Sequence, residues 1–179
     1  MRRIRSEEKG FTLIEVIVTL ILVGITAALA GMWIVNVANG YVFAKMNANT
    51  VQKGQLAITR LAKEFASISS VDIGSSTGTS ITYTRIDSID TTPTTSPPIT
   101  NTRTLTVSAA SGPLTLGGWT LTDSVDTFTL RYCDDNLTSP TCSSSSWSTT
   151  KRIIEVTLKL KGANNTLSEF KTRAIPRNL

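Results

Sequence analysis

GFTLIEVIVTLILVGITAALAGMWIV, residues 10–35, is an apolar run that begins abruptly after a glycine and carries one acid, Glu15. Residues 11–35, at about 1.5 Å rise each, make roughly 37 Å of helix, enough to cross a bilayer with some tilt. An acid at the centre of a spanning helix costs about 2.5–3.5 kcal/mol, whereas each Leu, Ile, Phe or Val contributes about 0.3–0.6 kcal/mol in favour of insertion. Fourteen such residues fill the run and Glu15 lies near one end, so the segment inserts with its acid in place. A carboxylate facing lipid needs a partner. Its default reading is therefore functional, ahead of the plainer one in which it snorkels to the headgroups.

Outward from the run, the leader MRRIRSEEKG places Arg2, Arg3, Arg5 and Lys9 before it, while residues 36–55 hold only Lys45 and Lys53. Positive charge stays on the cytoplasmic side, so the N-terminus is expected inside and the body exported. A secretory signal peptide competes, with Ala28-Leu29-Ala30 before Gly31 as its cleavage site. The apolar run exceeds the usual length of such a segment and continues through Met32, Trp33, Ile34 and Val35, and Glu15 has no role in a piece destined for removal.

Lys9-Gly10-Phe11-Thr12-Leu13-Ile14-Glu15-Val16 resembles the processing site of type IV prepilins and of the pseudopilins of type II secretion: a short basic leader ending in glycine, a phenylalanine, and a glutamate four residues on. The resemblance implies cleavage between Gly10 and Phe11 by a membrane-embedded prepilin peptidase that also N-methylates the new terminus. It covers the first 50 or so residues and extends to the rest only as a plan, a long helix followed by a strand-rich head. After cleavage the Phe11 amine and Glu15 would be complementary charges in a low dielectric, which sets the axial register of stacked subunits. Gly24, Ala27, Ala28 and Gly31 form a small-residue stripe that lets helices approach closely in lipid. The proline that relatives often carry eight residues after the glycine is Met32 here.

Apolar residues continue at spacings of three, four and seven through Val37, Tyr41, Ala44, Ala48, Val51, Ile58, Leu61, Ala62, Phe65 and Ile68. An amphipathic continuation over 36–70 is predicted, with Lys45, Lys53, Arg60, Lys63 and Glu64 mostly on the other face. Gly40 and Gly54 weaken it by about 1 kcal/mol each relative to alanine. Beyond Ser70 the pattern turns to period two, and strands are expected at 79–86, 103–108, 125–133, 151–161 and 166–175, forming an antiparallel sheet. In the fourth, Arg152, Ile154, Val156, Leu158 and Leu160 share one face and Lys151, Glu155, Lys159 and Lys161 the other. Residues 87–101 and 134–150 read as loops, and Gly117-Gly118 as a hairpin turn with Trp119 on its far arm. The Ser and Thr density of these loops suits O-linked sugar, but a polar surface is the favoured reading.

Cys133 and Cys142 lie in the exported part, where a disulfide is the economical reading, and many type IV pilins bridge a loop near the C-terminus. The chain has no histidine, which removes Ser-His-Asp and Cys-His catalysis and makes a metal site improbable. Asp123, Asp126, Asp134, Asp135 and Asn136 could offer oxygen to calcium, but the loop spacing for it is missing and a solvated surface is favoured. No enzyme, and no cofactor, is expected. Formal charge is +5, and loss of residues 1–10 would remove four basic and two acidic side chains to leave +3, too mild for a nucleic-acid binder.

The expected fold class is α+β and pilin-like: a leader at 1–10, a membrane and filament-core helix at 11–35, its amphipathic continuation at 36–70, and a β-rich head at 71–179 packed on that helix. The expected function is a structural subunit, a minor pilin or pseudopilin, of a type IV pilus or type II secretion filament. Its partners would be other pilins in a helical filament, the peptidase, an inner-membrane assembly platform, and lipid before assembly. It would sit single-pass in the inner membrane and then in an extracellular or periplasmic filament. The rivals are a tip adhesin or DNA-uptake module using Arg131, Lys151, Arg152, Lys159, Lys161, Lys171, Arg173 and Arg177, and a soluble secreted β-rich domain cleaved after Ala30.

Overall fold

The computed structural model describes residues 10–88, 99–107, 112–134 and 141–177. The leader up to Lys9, the middle of the first expected loop (89–98) and positions 135–140, including Asp135 and Asn136, lie outside the described residues. One helix, α1, runs from Leu13 to Ala66 without a break at Gly24, Gly31, Gly40 or Gly54. The chain divides into two compact units, one reaching to Ala44 and one beginning at Lys45.

In the first unit α1 has no cover: every residue from Gly10 to Ala44 is exposed. It contains a stretch long and apolar enough to cross a membrane. Thr19 Oγ1 donates to the Val16 carbonyl at 2.9 Å, and Thr26 Oγ1 lies 3.0 Å from those of Leu22 and Val23. Both hydroxyls are thus satisfied within the helix itself, as an apolar surrounding would require.

The second unit takes the last turns of α1 and all the strands. Gly54, Ala57, Leu61, Glu64 and Phe65 are the buried residues of α1, spaced to form one face. The helix stops at Ala66, short of the expected 70, because the Ser67 hydroxyl and N–H both turn back to the Glu64 carbonyl, at 2.7 and 3.1 Å. Strand β1 (Ile68–Val71) follows at once. Then come β2 (Ser80–Ser88), β3 (Ile99–Val107), β4 (Leu114–Leu116), β5 (Trp119–Thr122), β6 (Val125–Asp134), β7 (Lys151–Lys161) and β8 (Leu167–Ala174).

Pairing is antiparallel throughout, but in two sheets rather than one: β1 to β5 in chain order, and β6 to β8 in chain order. Apolar faces of both meet the helix in a common core that includes Leu61, Phe65, Ile81, Tyr83, Leu130, Tyr132, Ile154 and Leu158. Gly117 and Gly118, at φ 59° and 84°, make the expected two-residue turn between β4 and β5, which glycine enters without strain. The sheets are tied at Leu130, whose N–H donates to the Gly78 carbonyl at 2.7 Å, and at Tyr132, whose hydroxyl donates to the Thr77 carbonyl at 2.9 Å.

Two acids expected on solvent faces are buried instead. Glu64 is 2% exposed: Arg85 Nη1 donates to it at 2.9 Å and the Tyr83 hydroxyl at 3.1 Å, with the Arg103 guanidinium 3.6 Å away. Burial first, and then the neighbouring carboxylate, push the Tyr83 phenol far above its ordinary value. Glu155 is 4% exposed in the central strand β7, where Lys171 and Arg173 of β8 close over it at 2.9 and 2.8 Å. Burial alone would raise its carboxyl, but the two cations outweigh that and hold it below the usual carboxylate range. The expected alternation in β7 accordingly gives way to four consecutive buried residues, Ile153 to Val156.

Candidate assembly and processing site

Gly10, Phe11 and Thr12 precede the helix, and Phe11 is 79% exposed. The first main-chain carbonyl that α1 uses is that of Thr12, which accepts from the N–H groups of Glu15 at 3.1 Å and Val16 at 3.3 Å. Thr12 Oγ1 also accepts from the Glu15 N–H, at 3.4 Å, so Thr12 is the N-cap and Glu15 stands in the first turn. An acid there complements the positive end of the helix dipole. The threonine cap went unread in the sequence, although T-x-x-E before an apolar run is its signal.

Gly24, Ala27, Ala28 and Gly31 fall within an arc of about 100° on a helix that turns about 100° per residue. A Cβ added at Gly24 or Gly31 would meet no atom within 4 Å, and Ala27, Ala28 and Gly31 line a shallow groove with Met32 and Val35. Glu15 precedes Gly24 by nine positions, which puts it about 180° round the helix from the stripe. The acid and the small residues thus occupy one helix but opposite faces of it.

In the head, Cys133 and Cys142 are joined in a disulfide, with Cα atoms 4.1 Å apart. The chain returning from the bridge lies along β6, where the Tyr132 N–H donates to the Ser144 carbonyl at 2.9 Å, and Trp147 is buried edge-on against Tyr132 with ring centroids 5.4 Å apart. The bridge therefore pins a buried aromatic pair, not merely a loop.

Among the described residues, the three acids that could offer oxygen to calcium are engaged by lysines. Asp123 binds Lys53 at 2.8 Å, Asp126 binds Lys161 at 3.1 Å and Asp134 binds Lys151 at 2.5 Å. These lysine hydrogen bonds hold the Asp123 and Asp126 carboxyls below their ordinary value. Among the described residues no group of three or more potential metal ligands converges. The same pairs, with Lys159 on Glu169 and Lys171 and Arg173 on Glu155, occupy most of the cations once considered for a basic face.

Residues 5–31 match the model of the prokaryotic N-terminal methylation motif, the signature of type IV prepilins and pseudopilins. No curated protein and no solved structure matches the chain. The motif and the apolar helix fit a membrane-anchored single-pass protein, and the long helix followed by small antiparallel sheets is consistent with a pilin-like α+β fold.

Proposed function

We propose that this chain is a subunit of a type IV pilus or type II secretion filament, a minor pilin or pseudopilin, stored in the inner membrane with its head exported and released from its leader after Gly10. The observation that carries the reading is an apolar helix with no cover from Gly10 to Ala44, opened by a methylation motif. So much apolar surface stays in water at large cost, so it belongs first in lipid and then among like helices.

Glu15 and the stripe divide the work of assembly. On one face Glu15 faces the N-terminal amine of a neighbour, a charge pair strong in low dielectric and costly to leave half-made, and so fixes the axial step. On the opposite face Gly24, Ala27, Ala28 and Gly31 admit another neighbour's backbone. Each subunit then contacts at least two others through one helix, as a helical filament requires. The rival basic-face reading draws little support, since its lysines and arginines are largely ion-paired within the head.

The test is the intact mass and N-terminal residue of the protein from cells with and without a prepilin peptidase. A methylated Phe11 start that disappears without the enzyme is expected. A Gly31 start that persists in its absence would replace this reading with a secreted soluble domain.

A further inference from the structure

We propose that Thr12 is a positioning residue for processing: by capping α1 it keeps the Gly10–Phe11 bond out of the helix and open to hydrolysis. This role presupposes cleavage after Gly10, the reading proposed above. The methylation motif, residues 5–31, straddles the start of α1, so the enzyme's target and the helix boundary fall within a few residues of each other.

Three observations place that boundary. Thr12 supplies both its carbonyl and its hydroxyl to the first turn. Around it stand the residue types of a capping box and hydrophobic staple, with Phe11 before the cap, Glu15 third in the helix and Val16 fourth. Gly10 and Phe11 remain non-helical.

The membrane gives the cap its force. In lipid an unsatisfied main-chain N–H is expensive, so an uncapped helix gains by winding back through Phe11 and Gly10 until their carbonyls accept from the turn above. Hydrolysis adds one water across the amide, its hydroxyl going to the Gly10 carbonyl carbon and its hydrogen to the Phe11 nitrogen, which leaves as the new amine. A carbonyl bonded along the helix axis and covered by the next turn is shielded from that water. A carbonyl lying before the cap is not.

The experiment uses the full-length precursor in lipid bicelles with purified prepilin peptidase, and follows leader release together with the Cα chemical shifts of residues 10–12. Wild type and Thr12→Ser, which keeps the hydroxyl, are expected to be cleaved alike. Thr12→Val, close to threonine in shape but without the acceptor, is expected to be cleaved about fivefold more slowly, the effect of losing one cap on the boundary equilibrium. Its Gly10 and Phe11 shifts should move toward helical values. Equal rates for Thr12→Val and wild type would overturn the role. So would slow cleavage with an unmoved helix start, because the enzyme would then be reading the hydroxyl itself. A wild-type precursor left uncut at Gly10 would remove the processing reading, and this role with it.

Discussion

Gly54 bears a steric demand that its neighbours in α1 do not. A Cβ there would lie 2.2 Å from Phe170 Cε2 and 2.4 Å from Cζ, whereas one at Gly40 would meet nothing within 4 Å. Two effects compete on substitution. Alanine is the better helix former by about 1 kcal/mol, but forcing an aromatic ring out of a packed site costs about 1–3 kcal/mol. The second wins at Gly54, so Gly54→Ala should lower the melting temperature of the head, and Phe170→Leu added to it should restore part of the loss. A melting temperature raised by Gly54→Ala would show that the ring swings aside freely. A glycine that reads in sequence as a weak point of the helix is therefore the groove that lets β8 approach it. Asn47 works similarly one contact away, its Oδ1 accepting from the Ala163 N–H and the Thr166 hydroxyl, both at 2.9 Å.

At the scale of elements, the disulfide is the clearest lever. A bridge between cysteines nine positions apart constrains the unfolded chain by about 2.5–3 kcal/mol in the entropy model. Replacing both by serine should lower unfolding free energy by about that amount, and Trp147 fluorescence should report the release of its contact with Tyr132 at lower denaturant than in the intact protein. Unchanged denaturant midpoints for the serine variant would mean that the segment is held by the Tyr132–Ser144 pairing and the aromatic contact alone.

How far such elements were readable follows from their own physics. Strand β7 was legible to the residue because its eleven positions carry alternating apolar side chains over most of their length. Strand β1, ISSV, is too short and too polar to announce itself, and Ile68 falls at a spacing that continues the helix pattern. The division into two sheets has no local signal, since period two says which residues share a face and not which strand lies alongside. Burial of Glu64 and Glu155 was hidden for a related reason. The cations that close over them, Arg85, Arg103, Lys171 and Arg173, sit 16 to 39 positions away on other strands, where periodicity along one element does not show them. At the N-terminal end the motif was readable in full, while the cap within it needed the helix start to be seen.

Taken whole, the head is held partly by carboxylates whose protonation is disfavoured when folded. Asp123, Asp126 and Glu155 all have folded-state values below their ordinary ones. Such groups stabilise the folded state fully above the unfolded values, near pH 4, and lose that contribution as pH falls through the lower folded values. Stability should thus be level from neutrality to about pH 5 and decline below about pH 4, with Glu155, the buried member, contributing to the slope. Thermal melts across this range, compared with Glu155→Gln, check it. A melting temperature that rises on acidification would reverse the sign and refute the assignment.

The strand order has a consequence for how the protein is made. In each sheet every strand pairs only with its neighbour in the chain, so no strand must wait for a distant partner before it can be placed. A chain emerging N-terminus first can lay down β1 to β5 as successive hairpins and then β6 to β8, with short loop closures at most steps and low kinetic cost. The exception comes last. Only when Phe170 of β8 reaches Gly54, and Ala163 and Thr166 reach Asn47, all more than a hundred residues back, does the final strand seat on the helix, so a chain folding by local steps would end on long-range closures that wait for almost the entire chain.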